Sequence, residues 1–143
     1  ISDNAICVDM ERFQGFRKGF SPGTAELLVI PMQKAQRWEF YRAHLNRFKQ
    51  VSAVFAVSDY YAVDLMHFLT EQRFSVPKDL SIAGFDDTPM CAMVHPALTT
   101  VRQDGALRAK IAIEKLRELR EGTPTAAEIK LSVSLVVRES TGI

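Results

Sequence analysis

The sequence predicts an α/β fold, a largely parallel sheet flanked by helices and joined by right-handed crossovers. Segments of strand period and helix period alternate along the 143 residues. The run Ser52 to Ser58 (SAVFAVS) is continuously apolar between its serines, as in strands buried on both faces. A third observation marks the working end of such a sheet. Strand-like runs finish on Ser58-Asp59 and on Asp86-Asp87, and in open α/β sheets ligands bind beyond the carboxyl ends of strands.

Each element has its own signal. Phe13, Phe16 and Phe20, spaced by three and four, put one apolar stripe on a helix from Met10 to Phe20, which Ser21-Pro22-Gly23 stops. Glu26 to Met32 (ELLVIPM) is expected as a strand, and Trp38 to Phe48 as a helix burying Phe40 or Tyr41 with Leu45 and Phe48. After the Ser52 to Ser58 strand, Asp59 is placed to cap a helix reaching about Phe74. Its core face is Ala62, Leu65, Met66 and Leu69, and Pro77 breaks it. Leu80 to Phe85 (LSIAGF) supplies a third strand, and a loop rich in Pro, Met and Thr runs to Thr100. The longest helix is expected from Gln103 to Glu121, stopped by Gly122 and Pro124, before a closing strand from Lys130 to Arg138.

Composition bounds the function. With 47% hydrophobic and 24% charged residues the chain is an ordinary globular domain, and one domain is the natural count. Eighteen basic against 17 acidic residues give a formal charge of +1, too little for a free-standing DNA binder. Apolar runs fall far short of the roughly 20 residues a bilayer requires. The opening Ile1-Ser2-Asp3-Asn4 has neither an initiator methionine nor the features of a secretory signal, so a piece of a longer protein is expected. Cys7 and Cys91 sit among apolar neighbours and are expected as buried reduced thiols, which fits a cytoplasmic protein.

The carboxylates at the strand ends could bind a metal, work as acid and base, or grip hydroxyl groups. His44, His67 and His95 form no HxH or HxxxH spacing, so no metal or other cofactor is expected. Nothing predicts the raised pKa of a general acid, and no GxSxG, Walker or GxGxxG motif is present, so no catalytic residue is expected. Asp86 and Asp87 could equally do no more than cap backbone amides in a turn. Trp38 and the pair Tyr60-Tyr61 read more readily as packing than as a ligand platform. Lys115, Arg117 and Arg120, interleaved with Glu114, Glu118 and Glu121, make a solvated helical face.

Longer blocks carry a family signature. Val76-Pro77-Lys78-Asp79-Leu80-Ser81-Ile82-Ala83-Gly84-Phe85-Asp86-Asp87, followed by Pro96-Ala97-Leu98-Thr99-Thr100-Val101-Arg102-Gln103-Asp104, resembles the lac repressor/gal repressor family of bacterial transcription regulators. Ser58-Asp59-Tyr60-Tyr61-Ala62 is similar to that family's xDxxA turn, Arg12 with Gly15-Phe16 to its RxxGF helix, and Leu135 to Thr141 to its closing strand.

The resemblance implies an effector domain of two lobes, folded like the periplasmic sugar-binding proteins and preceded by a DNA-binding helix-turn-helix. Residues 1–143 then correspond to the carboxyl-terminal lobe, with residues 103–121 a helix that in the family packs on the amino-terminal lobe. Carried over residue by residue, the effector contacts fall on Arg12, Ser58 and Asp86, with Trp38 a weaker candidate for stacking on a sugar. Ser58 stands where several sugar-binding members have Asn. The family also pairs through this lobe, which places a homodimer interface at Val63, Met93 and Val94. The implied function is effector sensing, with a sugar the expected ligand and operator DNA contacted only through a segment outside this chain. A periplasmic sugar-binding protein for transport is the alternative on the same fold. The apolar residues of helix 103–121 are expected to be covered by a second copy, by its own lobe or by residues absent here.

Overall fold

The computed structural model describes residues 1–2, 7–20, 23–123 and 126–142. The side chain of Cys7, and with it that expected thiol, lies outside the described residues, as do Ser21, Pro22 and Pro124 among the expected helix stops. The elements in chain order are α1 (Cys7–Gly19), α2 (Lys34–Ala43), α3 (Leu45–Phe48), β1 (Ala53–Phe55), α4 (Asp59–Glu71), β2 (Ser81–Asp86), α5 (Met90–Met93), β3 (Thr99–Gln103), α6 (Gly105–Arg120) and β4 (Val133–Val136). The sheet runs β1-β2-β3-β4, with the first two pairings parallel and β4 antiparallel to β3. The expected class, α/β with a largely parallel sheet, is the one observed.

Backbone bonds extend this order at the β1 edge. The Ile1 amino group donates to Phe55 O at 2.7 Å and the Val57 N–H to Ile1 O at 3.0 Å. On its other side Ser2 bridges Val29 in parallel, with Ile30 N–H donating to Ser2 O at 2.8 Å. The chain therefore steps outward from Ile1-Ser2 through α1 to residues 28–30, then returns through α2 and α3 to β1. That reversal is a topological switch point, where doubly wound sheets open a crevice at their carboxyl ends.

The expected strand Glu26 to Met32 reduces to the bridge at Val29. Pro31 has no N–H to continue the ladder. The helix expected from Trp38 to Phe48 is two helices parted at His44 (φ −108°, ψ 15°), and it is Tyr41, with Phe48, that is buried. In α4 the expected stripe Ala62, Leu65, Met66 and Leu69 is buried, joined by Phe68. Thr99 to Gln103, assigned from sequence partly to a loop and partly to a helix start, is β3. Its β-branched Thr-Thr-Val run favours a strand, and Asp104, not Gln103, starts the helix: its Oδ1 accepts the Leu107 N–H at 2.8 Å.

The core lies between the sheet and α2, α3 and α4, where Tyr41, Phe48, Leu65, Phe68, Leu80, Ile82 and Leu98 meet. The opposite face carries α1, whose Phe16 stacks on Phe55 with centroids 5.3 Å apart. Beside it an apolar groove of about 440 Å³ runs along Phe55, Phe85, Val101 and Leu135. No residue of α6 is buried; Leu107, Ile113, Leu116 and Leu119 are 44–66% exposed. Of the three covers expected for this helix, its own lobe does not bury it here.

Candidate functional site

Arg12, Asp86 and the chain at Val57-Ser58 converge at the switch point. Arg12, in the first half of α1, donates from Nη1 to Val57 O at 2.7 Å. Its guanidinium lies 4.0 Å above the Phe85 ring, and Nη2 stands 3.9 Å from Asp86 Oδ1. Phe85 thus supports the cation on its ring while presenting the next residue, Asp86, at the strand end. Asp86 Oδ1 also accepts from Gln103 Nε2 at 2.6 Å. Side-chain exposures of 21% for Arg12 and 36% for Asp86 leave both reachable from solvent.

Ser58 caps α4. Its Oγ accepts the Tyr61 N–H at 3.5 Å, which corrects the sequence assignment of the cap to Asp59. Asp59 instead turns inward, fully buried, and accepts from Thr88 N–H at 2.7 Å, from Thr88 Oγ1 at 3.0 Å and from Thr100 Oγ1 at 2.5 Å. Burial together with the Asp59 carboxylate pushes the neighbouring Cys91 thiol up to about 11, so this cysteine stays protonated at neutral pH.

The turn that follows β2 is strained. Asp86 has φ 120° and Asp87 φ 57°. Consecutive left-handed conformations at non-glycine residues cost on the order of 1 to 3 kcal/mol each and persist only where the surroundings hold them. Asp87 is held by two arginines: Arg138 Nη2 donates to Oδ1 at 2.7 Å and Arg102 Nε to Oδ2 at 2.5 Å. Burial alone would raise its pKa, but these two hydrogen-bonded cations outweigh it and hold the carboxyl below its usual range.

Trp38 is not brought to this cluster. Its indole N–H donates to Asp64 Oδ1 at 3.0 Å, and its ring stands edge-on to His67 and Phe68. Asp64 also receives Arg37 Nε at 2.6 Å in an ion pair that is almost wholly buried. Met93 is 83% exposed on α5, whereas Val63 and Val94 are half-buried against the core. No group of three or more His, Cys, Asp or Glu side chains that could hold a metal occurs among the described residues. Among them, too, no helix is long and apolar enough to cross a membrane.

Sequence reasoning missed Thr88, Thr100, Gln103 and Arg138. Thr100 and Gln103 lie on a strand that was divided between a loop and a helix start, and Arg138 is 51 residues from Asp87.

A convergent guanidinium, carboxylate and helix amino terminus at a switch point can recognise a neutral polyhydroxyl ligand: the carboxylate accepts from hydroxyls and the guanidinium donates a planar fork. Residues 3–141 match the model of the periplasmic binding protein-like domain. The chain belongs to that family. Among its periplasmic binding protein-like relatives is the HTH-type transcriptional regulator MalR of Streptomyces coelicolor, 37% identical over 94 residues, which are 65% of this chain and 27% of the relative. The structure is similar to that of a transcriptional regulator CelR–cellobiose complex (TM-score 0.76, 26% identity, 92% of this chain and 42% of that one). It is also similar to a dimeric lac repressor with an 11-residue carboxyl-terminal deletion (TM-score 0.79, 26% identity, 94% and 50%). The resemblance to the lac repressor/gal repressor regulators therefore holds, and these relatives are regulators of transcription, not enzymes. The chain spans about a quarter to a half of the length of each.

Proposed function

We propose that this chain is the effector-sensing lobe of a bacterial transcriptional repressor, working in the cytoplasm. A small molecule, with a sugar as the first expectation, binds between this lobe and a second one. Arg12, Ser58 and Asp86 form this lobe's share of the cleft. Binding shifts the relative orientation of the lobes, and a DNA-binding segment outside the chain reads the shift, which couples two sites through one two-state arrangement. The observation that carries this reading is the convergence of Arg12 and Asp86, 3.9 Å apart, at the topological switch point. Relatives named as transcription regulators support it over a role in transport.

Two surfaces complete the reading. The exposed Met93 with Val63 and Val94 forms the face of a homodimer, in line with the dimeric lac repressor to which the fold is similar. Residues 103–121 pack on the amino-terminal lobe through Leu107, Ile113, Leu116 and Leu119. Full burial of such side chains contributes roughly 1.5 to 3 kcal/mol each. The test is a thermal-shift screen of the intact protein against sugars including cellobiose and lactose. A stabilisation that saturates with sugar concentration is expected. No stabilisation by any sugar, with a shift produced only by some other chemical class, would overturn the sugar assignment.

A further inference from the structure

Resting on the effector reading above, we infer that Asp59 is the positioning residue of this site, holding the Asp86-Asp87 turn in its left-handed conformation and thereby aiming the Asp86 carboxylate. Asp59 is fully buried, so it acts through the turn and not on a ligand. Its Oδ2 takes both the N–H and the hydroxyl of Thr88, at 2.7 and 3.0 Å. Its Oδ1 takes the hydroxyl of Thr100 at 2.5 Å, and that same hydroxyl oxygen accepts the Asp87 N–H at 3.4 Å. Both amides that follow Asp86 are thus pinned to one carboxylate, one directly and one through Thr100.

Two further features show that the arrangement serves the turn. Ser58 already caps α4, so the helix has no need of the Asp59 side chain. Gly84 of β2 leaves room for it: a Cβ there would lie 2.5 Å from Asp59 Oδ1 and 3.2 Å from its Cα. A carboxylate accepts from all three donors as they stand, whereas an amide would make the Thr100 hydroxyl, which already accepts the Asp87 N–H, turn round and accept a second time.

Residue-resolved hydrogen exchange on the intact protein tests the inference without a ligand. Asp59→Ala removes both acceptor oxygens and should speed exchange of the Asp87 and Thr88 amides at least tenfold while the β2 amides, such as Ile82, keep their protection. Thr88→Ser retains both donors and should match the unsubstituted protein, and Thr88→Val should fall between. Unchanged exchange at 87 and 88, or an equal loss of protection across β2 and α4, would overturn the positioning role and leave the effector reading standing. That reading fails separately, if Asp86→Ala leaves sugar affinity unchanged in calorimetry. A loosened turn combined with that result would reduce Asp59 to a structural residue and overturn the inference.

Discussion

Arg138→Met and Arg102→Met remove the two cations that grip the same carboxylate, and the structure predicts unequal costs. Arg138 is 19% exposed and Asp87 9%; besides the 2.7 Å pair, Arg138 Nη1 donates to Leu98 O at 2.8 Å. Hydrogen bonds to charged groups contribute about 1.5 to 3 kcal/mol each when shielded. Arg138→Met, discounted for partial exposure and for the arginine Asp87 retains, should then cost about 2 to 3 kcal/mol. Arg102 is 54% exposed, and exposed pairs contribute at most about 1 kcal/mol. At roughly 3 °C per kcal/mol for a chain of this size, thermal unfolding should fall by about 6 to 9 °C for the first variant and no more than about 3 °C for the second. The pH dependence has a definite sign. The folded pKa of Asp87 is depressed, so its contribution is fully present above the unfolded value of about 3.9 and is lost as pH falls through the folded value. The gap between Arg138→Met and the unsubstituted protein should accordingly be constant from neutrality to about pH 5 and narrow below about pH 4. Equal costs for the two variants, or a gap that closes near neutrality, would refute the reasoning.

Trp38→Phe should lower stability by about 1 to 2 kcal/mol, because it removes the indole donor from the buried Asp64, and should leave sugar affinity unchanged. Denaturant titration paired with calorimetry separates the two effects, and a loss of affinity with little loss of stability would restore Trp38 as a sugar contact. Met93→Asp places charge on the exposed part of the proposed dimer face and should shift sedimentation from dimer to monomer while circular dichroism stays unchanged. A dimer of unaltered strength would move the interface elsewhere.

Much of the architecture was legible because it rests on local pattern. The period of Ala62, Leu65, Met66 and Leu69 gave the core face of α4, and the apolar run from Ser52 to Ser58 gave a strand; that strand, however, covers only Ala53–Phe55 and is exposed to half-buried instead of buried on both faces, because it lies at the edge of the four-stranded sheet. What local pattern could not show were pairings across the fold. β3 was hidden because Thr99 to Gln103 lies between a turn-rich loop and a strong helix, and it becomes a strand only where β2 and β4 supply partners on both sides. Likewise Asp59 looked like a cap because position and residue type fit one. Its true partners lie 29 and 41 residues away, beyond the reach of local reasoning. Arg12 and Asp86 were found through family blocks, since 74 residues separate them and neither spacing nor composition links them.

The central claim is that Asp86 and Arg12 grip a small polyhydroxyl effector, and calorimetric titration of the intact protein with the sugar selected by the thermal-shift screen tests it most directly. Asp86→Ala and Arg12→Ala should each weaken binding by about tenfold to a hundredfold, corresponding to roughly 1 to 3 kcal/mol for a polar partner left unpaired. Undiminished affinity in both variants, with folding intact, would contradict the account.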